Sequence, residues 1–226
     1  MDQWLLFRSP AGWAALNMAI DEMLLLNASK IEKPVLRLYS WSEPAASFGY
    51  FQRHADASRA TALRPLIRRP TGGGMVPHDR DWTYSLVFPP SHSWYRLKAI
   101  ESYRRLHESV CDAFQQMGVA AEVAQSARKE ATGQCFAGPE QFDVIFHNQK
   151  IAGAAQRRTR DGLLIQGSVQ PPSGMNRTEW EVAFVTWAVK NWQVRWHDWW
   201  PPLDLEAQAR ELAHAKYSTA EYNERR

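Results

Sequence analysis

Residues 68–79 read RRPTGGGMVPHD: two arginines, a Pro-Thr step, three consecutive glycines, an apolar run broken by Pro77, then His78 and Asp79. Glycine gives up more backbone entropy on folding than any other residue, so three in a row are kept where the backbone must approach something closely. A phosphate-binding P-loop needs Lys and Ser or Thr directly after its last glycine, behind a strand and at the head of a helix. Met75, Val76 and Pro77 stand there instead, and Pro77 suits no central ladder position. The glycine spacing of a dinucleotide-binding turn is also missing. What is left is a strand, a glycine loop and a strand, with "PLIRRPT" (65–71) and "WTYSLVFP" (82–89) as the flanking strands. Gly72, Gly73 and Gly74 would let an elongated ligand lie against the backbone, and Arg68 and Arg69 could hold a carboxylate or phosphate at its end. A plain glycine hairpin with solvent-facing arginines is the alternative.

Moving outward, "AGWAALNMAIDEMLLLNASK" has apolar residues at helical spacing and predicts a helix over about 12–28. "PVLRLYSW" and "AASFGYF" read as two strands separated by Ser-Glu-Pro, and "HADASRATA" as a short helix. The segment 95–118 is the clearest helix, with Leu97, Ile100, Tyr103, Leu106, Val110, Phe114 and Met117 on one face and Gly118 closing it. Polar "SARKEATGQCFAGPEQ" follows as a loop, then two strand-like runs around His147-Asn148-Gln149 as a hairpin. "DGLLIQGSVQPP" gives another strand after an Asp-Gly turn. Residues 176–192 look helical, with Trp180, Phe184 and Trp187 on one side, and so does "DLEAQARELAHAKYS". Ser218-Thr219-Ala220-Glu221 has capping-box spacing for a last short helix. Interleaved helices and hairpins imply one α/β (α+β) domain over 1–226, a mixed and largely antiparallel sheet flanked by helices.

Composition narrows the function classes. With 27 basic and 24 acidic residues the net charge of +3 gives no argument for nucleic acid, and no apolar run is long enough for a membrane span. The start "MDQWLLFRSP" has no basic n-region followed by a long apolar core, and Cys111 and Cys135 form no disulfide framework, so a cytoplasmic enzyme is the expectation. Basic charge is local: five arginines lie between 53 and 69 against Asp56 alone, and Arg157, Arg158 and Arg160 follow later. Such a patch could steer an acidic partner.

Two further residues carry chemistry. Cys135 sits in "ATGQCFAGP", between glycines in a loop; a loop thiol beside basic groups can become a nucleophile, whereas Cys111, on the amphipathic helix, reads as a small core residue. Lys150 begins a strand and is followed by the small residues Ala152, Gly153, Ala154 and Ala155, which leave room for a neighbour. A lysine fixed in this way could polarise a carbonyl or steady an oxyanion. A partly buried thiol and an exposed strand-end lysine are the plainer readings.

Taken in order, "RRPTGGGMVPHD", "DWTYSLV", "KIAGAAQRR" and "IQGSV" resemble the biotin/lipoate protein ligase superfamily, in its lipoate ligase and octanoyltransferase branch. The upstream "ALNMAIDEMLL" and the spaced Trp41, Pro44, Ser47, Gly49 and Gln52 fit as well, so the resemblance covers about residues 12 to 170. It implies that catalytic-domain fold and attachment of an octanoyl or lipoyl group to a lysine of an acceptor protein. It implies that the Arg68–Gly74 segment and His78 line the acyl slot, that Lys150 contacts the acyl carbonyl or the adenylate phosphate, and that Gly153 and Gly167 keep the wall close. "CFAGPEQFDV" further resembles the cysteine-dependent octanoyltransferases, which carry a Cys-Phe-x-x-Pro context before the lysine strand; that implies Cys135 as the thioester nucleophile. The expected partners are octanoyl-acyl carrier protein and a lipoyl-acceptor protein, either the glycine cleavage H protein or a 2-oxoacid dehydrogenase E2 lipoyl domain. No cofactor and no metal is expected. The alternatives are an ATP- and Mg-dependent lipoate ligase, for whose accessory domain the chain beyond 169 is short, and an amidotransferase between acceptor proteins. Met75, Pro77 and Arg80-Asp81-Trp82 depart from the usual motif, and the Trp-rich tail has no role beyond packing.

Overall fold

The structure is a computed structural model and describes residues 1–127 and 138–225. In chain order, β1 (Asp2–Arg8), α1 (Ala14–Leu26), α2 (Ala28–Ile31), β2 (Val35–Tyr39), β3 (Ala45–Phe48), α3 (His54–Ala60) and β4 (Leu66–Arg68) lead to the glycine run. After it come β5 (Val76–His78), β6 (Trp82–Phe88), α4 (Ser93–Arg96), α5 (Ala99–Gln116) and β7 (Glu122–Val123). Then follow β8 (Val144–Phe146), β9 (Gln149–Thr159), β10 (Gly162–Val169), α6 (Arg177–Asn191), β11 (Val194–Asp198), α7 (Leu203–Leu212), a π-helical turn (Ala213–Tyr217) and α8 (Ala220–Glu224).

Eight strands form one sheet in the order β11-β1-β2-β6-β10-β9-β8-β7. The three strands β11, β1 and β2 run parallel, and every pairing from β2 onward is antiparallel. The expected mixed, largely antiparallel sheet with flanking helices is therefore what the chain forms. Strand alternation sorts the core: Leu163 and Ile165 of β10 join a cluster with Leu106, Val110 and Phe114 of α5 and Trp180 and Phe184 of α6. Leu164, between them, joins Leu24 and Leu25 of α1 on the opposite face.

A second sheet has the order β4-β3-β5, with β3 parallel to β4 and antiparallel to β5. The strands joined by the glycine run thus lie on either side of β3 and do not pair with each other, which excludes the glycine hairpin. Pro77 is accommodated because β5 is an edge strand. Ala14, Ala15 and Met18 of α1 pack on Ala45 and Ile67 of this small sheet, so α1 sits between the two sheets.

Several elements differ from expectation. The helix over 95–118 is broken at Leu97 and Lys98, and Ile100 is exposed, while Leu106, Val110 and Phe114 are buried as expected. Strands β1 and β11 were not foreseen. The tryptophans of the tail fill the end of the sheet beside them: Trp192 and Trp196 meet Trp4 at 5.5 and 5.7 Å, within a group that includes Phe88 and Trp94. The N-cap of α8 is Thr219, not Ser218: the Thr219 hydroxyl accepts from the Tyr222 amide at 3.2 Å. The hairpin between β8 and β9 forms as expected, with His147 and Asn148 both at positive φ (49° and 62°), the requirement of a two-residue turn that matches strand twist.

Candidate active site

The glycine run is wrapped around an arginine. Arg69 reaches into the loop, and its Nη2 donates to the carbonyls of Gly72 and Gly74 at 2.5 and 2.7 Å, while Nη1 donates to the Ser47 carbonyl at 3.3 Å. Gly73 takes φ +85°, and a Cβ there would lie 2.9 Å from Arg69 Nη2. A Cβ on Gly49 would collide with the Gly73 carbonyl, so Gly49 seats the loop from below. Arg68 points elsewhere. Fully buried, it donates to the carbonyls of Tyr50 and Gln52 at 2.8 Å each and to those of Tyr222 and Asn223 at 3.2 and 2.8 Å, while its amide donates to Asn223 Oδ1. The charge is spent on main-chain oxygens, fastening α8 to β4.

Lys150, near the head of β9, is buried with its Nζ 2.7 Å from Asp143 Oδ2. Asp143 also accepts from the Tyr103 hydroxyl of α5 and from the Glu140 amide at 2.7 Å. Burial pushes the Asp143 carboxyl above its ordinary range, against the pull of Lys150 and Tyr103. Gly153 is what makes room here: a Cβ there would stand 2.5 Å from Lys150 Cε and 2.7 Å from Nζ. Behind Tyr103, His107 is fully buried with neither ring nitrogen hydrogen-bonded, and burial, reinforced by the charge of Lys150, holds it down to about 3. Cys135 and Phe136 lie outside the described residues. Cys111 is the core thiol expected, bonded to the Ala121 carbonyl at 3.3 Å and pushed up to about 11 by burial.

A cleft of about 420 Å³, its open mouth included, runs between the two sheets. Of the residues singled out in the sequence, Arg69, Gly73, His78, Gly153 and Gly167 border it. Gly167 is small because Tyr84, its cross-strand partner on β6, occupies the space a Cβ would need. Met18, Trp41, Val76, Ala154 and Ala155 supply apolar wall, the composition that suits a hydrocarbon chain.

Two buried polar networks stand behind the same cleft, reaching it through Tyr39 and Gln166 and through His78, Thr83 and Ser168, and apart from His78 the sequence reading missed both. Asp21 and Arg37 form an ion pair at 2.7 Å with both side chains fully buried, and Asp21 further accepts from Tyr39, Ser85 and Gln166. Thr71 donates to the other end of the Gln166 amide at 2.7 Å, tying the threonine before the glycines to β10. The second network centres on Asp81, whose Oδ2 meets His78 Nδ1 at 2.8 Å and accepts from Thr83 and Ser168. Asp79, the more obvious partner in sequence, is exposed. The available signal was Asn17 and Asp21, four apart on a helix otherwise apolar except for Glu22, and His78 and Asp81, three apart. Among the described residues, no group of three or more His, Cys, Asp or Glu side chains could hold a metal, and no helix is long and apolar enough to cross a membrane.

Residues 14–171 match the family of the lipoyl protein ligase A/B catalytic domain. The octanoyltransferase LipM of Kyrpidia tusciae is 36% identical over 181 residues, 75% of this chain and 66% of that one. The octanoyltransferase LipM of Bacillus subtilis is 31% identical over 181 residues, 74% of this chain and 65% of its own. The chain therefore spans just under two thirds of the length of these curated relatives. Among solved structures, a lipoate-protein ligase A bound with ATP superposes with a TM-score of 0.80 at 22% identity, covering 99% of both chains. The bi-partite lipoate protein ligase of Thermoplasma acidophilum, described with its E2 lipoyl domain, gives 0.75 at 21% identity over 99% of this chain and 96% of that one. At such identities these two speak for the fold.

Proposed function

The chain belongs to the lipoyl protein ligase A/B catalytic-domain family, and from that premise we propose that it is an octanoyltransferase of lipoyl assembly, with residues 1–226 acting as one catalytic domain in the cytoplasm. In this reading octanoyl-acyl carrier protein is the donor and a lysine of a lipoyl domain or H protein is the acceptor. The Cys135 thiolate attacks the thioester carbonyl, the C–S bond to the carrier breaks, and the carrier thiol leaves. The acceptor amine then attacks the Cys135 thioester, forms the amide and returns the thiol. The first step exchanges one thioester for another at little cost and the second runs downhill from thioester to amide, so neither ATP nor Mg is needed.

The observation that carries this reading is the Lys150 ammonium, buried against Gly153, which lines the cleft, and held by Asp143. In that low-dielectric setting a fixed cation stabilises an oxyanion far better than it could in water. The names of the relatives support the octanoyl group. The apolar wall supports an alkyl chain, each buried CH₂ contributing about 0.8 kcal/mol. Arg69 shapes the glycine loop that covers the acyl group, and Arg68 anchors that loop to α8 and so serves the site from behind.

Incubation with octanoyl-acyl carrier protein is expected to add one octanoyl mass, removed by hydroxylamine and absent from Cys135→Ala. An adduct that survives Cys135→Ala sinks the proposal. Formation of lipoyl-AMP from lipoate and ATP would replace it with the ligase reading.

A further inference from the structure

The array Ser47–His78–Asp81 plays no part in the reaction above, yet it lies in the same cleft and is fully built. Ser47 Oγ is 2.8 Å from His78 Nε2, and His78 Nδ1 is 2.8 Å from Asp81 Oδ2. A carboxylate only accepts, so Nδ1 carries the proton, and a neutral ring then presents its lone pair at Nε2. The Ser47 hydroxyl donates into that lone pair, and its oxygen accepts from Arg69 Nη1 at 3.3 Å. Trp41 stacks on the imidazole at 3.8 Å and donates through Nε1 to Thr83, which donates to the same Asp81 oxygen. The ring is thus fixed in plane, tautomer and reach.

A hydroxyl whose proton rests on an imidazole, itself oriented by a buried carboxylate, is the arrangement that makes serine a nucleophile toward acyl groups, whatever the fold that carries it. Ser47 and His78 both border the cleft, and Ser47 is only 2% exposed, so only a small acyl group brings its carbonyl to Oγ.

We propose that Ser47 is a second acyl acceptor, taking the acyl group of short activated esters or thioesters as a Ser47 ester that water then removes. In the first step the Ser47 Oγ–C bond forms and the proton passes to His78 Nε2. The bond from the carbonyl carbon to the leaving oxygen or sulfur breaks, and that atom takes the proton from His78. In the second step water attacks the ester with His78 again accepting the proton, releasing the acid and restoring the hydroxyl.

The test uses the Cys135→Ala protein and p-nitrophenyl butyrate. One equivalent of nitrophenol is expected as a burst, with a butyryl group mapped to Ser47 by peptide mass. The burst disappears in Ser47→Ala, and slows about a hundredfold in His78→Gln, the scale of a lost general base. Absence of a Ser47 ester while Ser47 and His78 are intact overturns the inference. In the unsubstituted protein, an octanoyl adduct on Cys135 from octanoyl-acyl carrier protein together with no butyryl ester on Ser47 from p-nitrophenyl butyrate overturns this inference alone and leaves the octanoyltransferase standing. A Ser47 ester without a Cys135 adduct supports it and removes the other.

Discussion

Gly153 and Gly167 are both small residues beside the cleft, but they make room for different things. At Gly153 an added Cβ meets the end of a flexible side chain, Lys150. At Gly167 it meets the ring of Tyr84, which is packed against Trp180 and Phe184. Gly153→Ala is therefore expected to push the ammonium off Asp143 and lower octanoyl transfer on the order of a hundredfold, the scale of a lost oxyanion partner, in addition to the stability lost when a buried ion pair is opened. Gly167→Ala should instead cost about 1–3 kcal/mol of stability as an overpacked core. Paired measurement of single-turnover rate and urea unfolding separates the two, and equal losses of rate in both variants would refute the distinction. The sequence reading noted Gly153 among the small residues after Lys150 and reached both glycines through the family resemblance of "KIAGAAQRR" and "IQGSV". Asp21 and Arg37 escaped it because a charge on an apolar helix face has no visible partner until β2 is laid beside α1.

At the scale of elements, α5 carries two polar side chains one turn apart toward the lysine: Tyr103, bonded to Asp143, and His107, which has no hydrogen-bond partner. His107 titrates near 3 in the fold against an ordinary 6.5, so the unfolded chain binds a proton that the folded chain refuses. Its contribution to stability is complete above about pH 6.5 and is lost as pH falls toward 3, at up to about 1.4 kcal/mol per pH unit. Asp143, raised by burial, acts in the opposite direction over the acid range, because the folded form takes up its proton first. His107→Leu isolates the histidine: between pH 6.5 and 4.5 its unfolding free energy should fall less steeply than that of the parent. Parallel slopes would show that His107 does not titrate in this way. Helix spacing alone placed α5 and α6 well, because their apolar faces repeat over several turns. It failed for β1, whose four buried residues Trp4–Phe7 run without alternation inside the sheet, and for β5, where Pro77 interrupts a three-residue strand.

For the whole molecule, net charge says little and charge placement says more. Arg158 near the end of β9 and Arg160 on the β9–β10 turn are exposed, and Arg157 and Arg225 lie over the ring of Tyr50 next to the glycine run. An acidic acceptor would be drawn to this side, so its association rate should drop on the order of tenfold between low salt and 0.5 M salt. Arg160→Glu should flatten that dependence without altering the chemical step measured at saturation. A salt-independent association rate would rule out steering. The two-sheet architecture was only partly legible for a related reason. The large sheet follows from hairpins that are local in sequence, whereas its parallel side needs β1, β2 and β11 brought together from opposite ends of the chain.

That distance in sequence has a consequence in time. Two of the four carbonyls that receive Arg68 belong to Tyr222 and Asn223, as many as 155 residues downstream. At ribosomal speeds of about 5–20 residues per second, roughly 8–30 s separate the synthesis of the glycine loop from that of its anchor. The nascent chain can assemble the hairpins of the large sheet during that interval, but the anchor of the glycine-loop wall is in place only once α8 has emerged. The glycine-loop wall of the cleft thus waits on the synthesis of everything between β4 and α8.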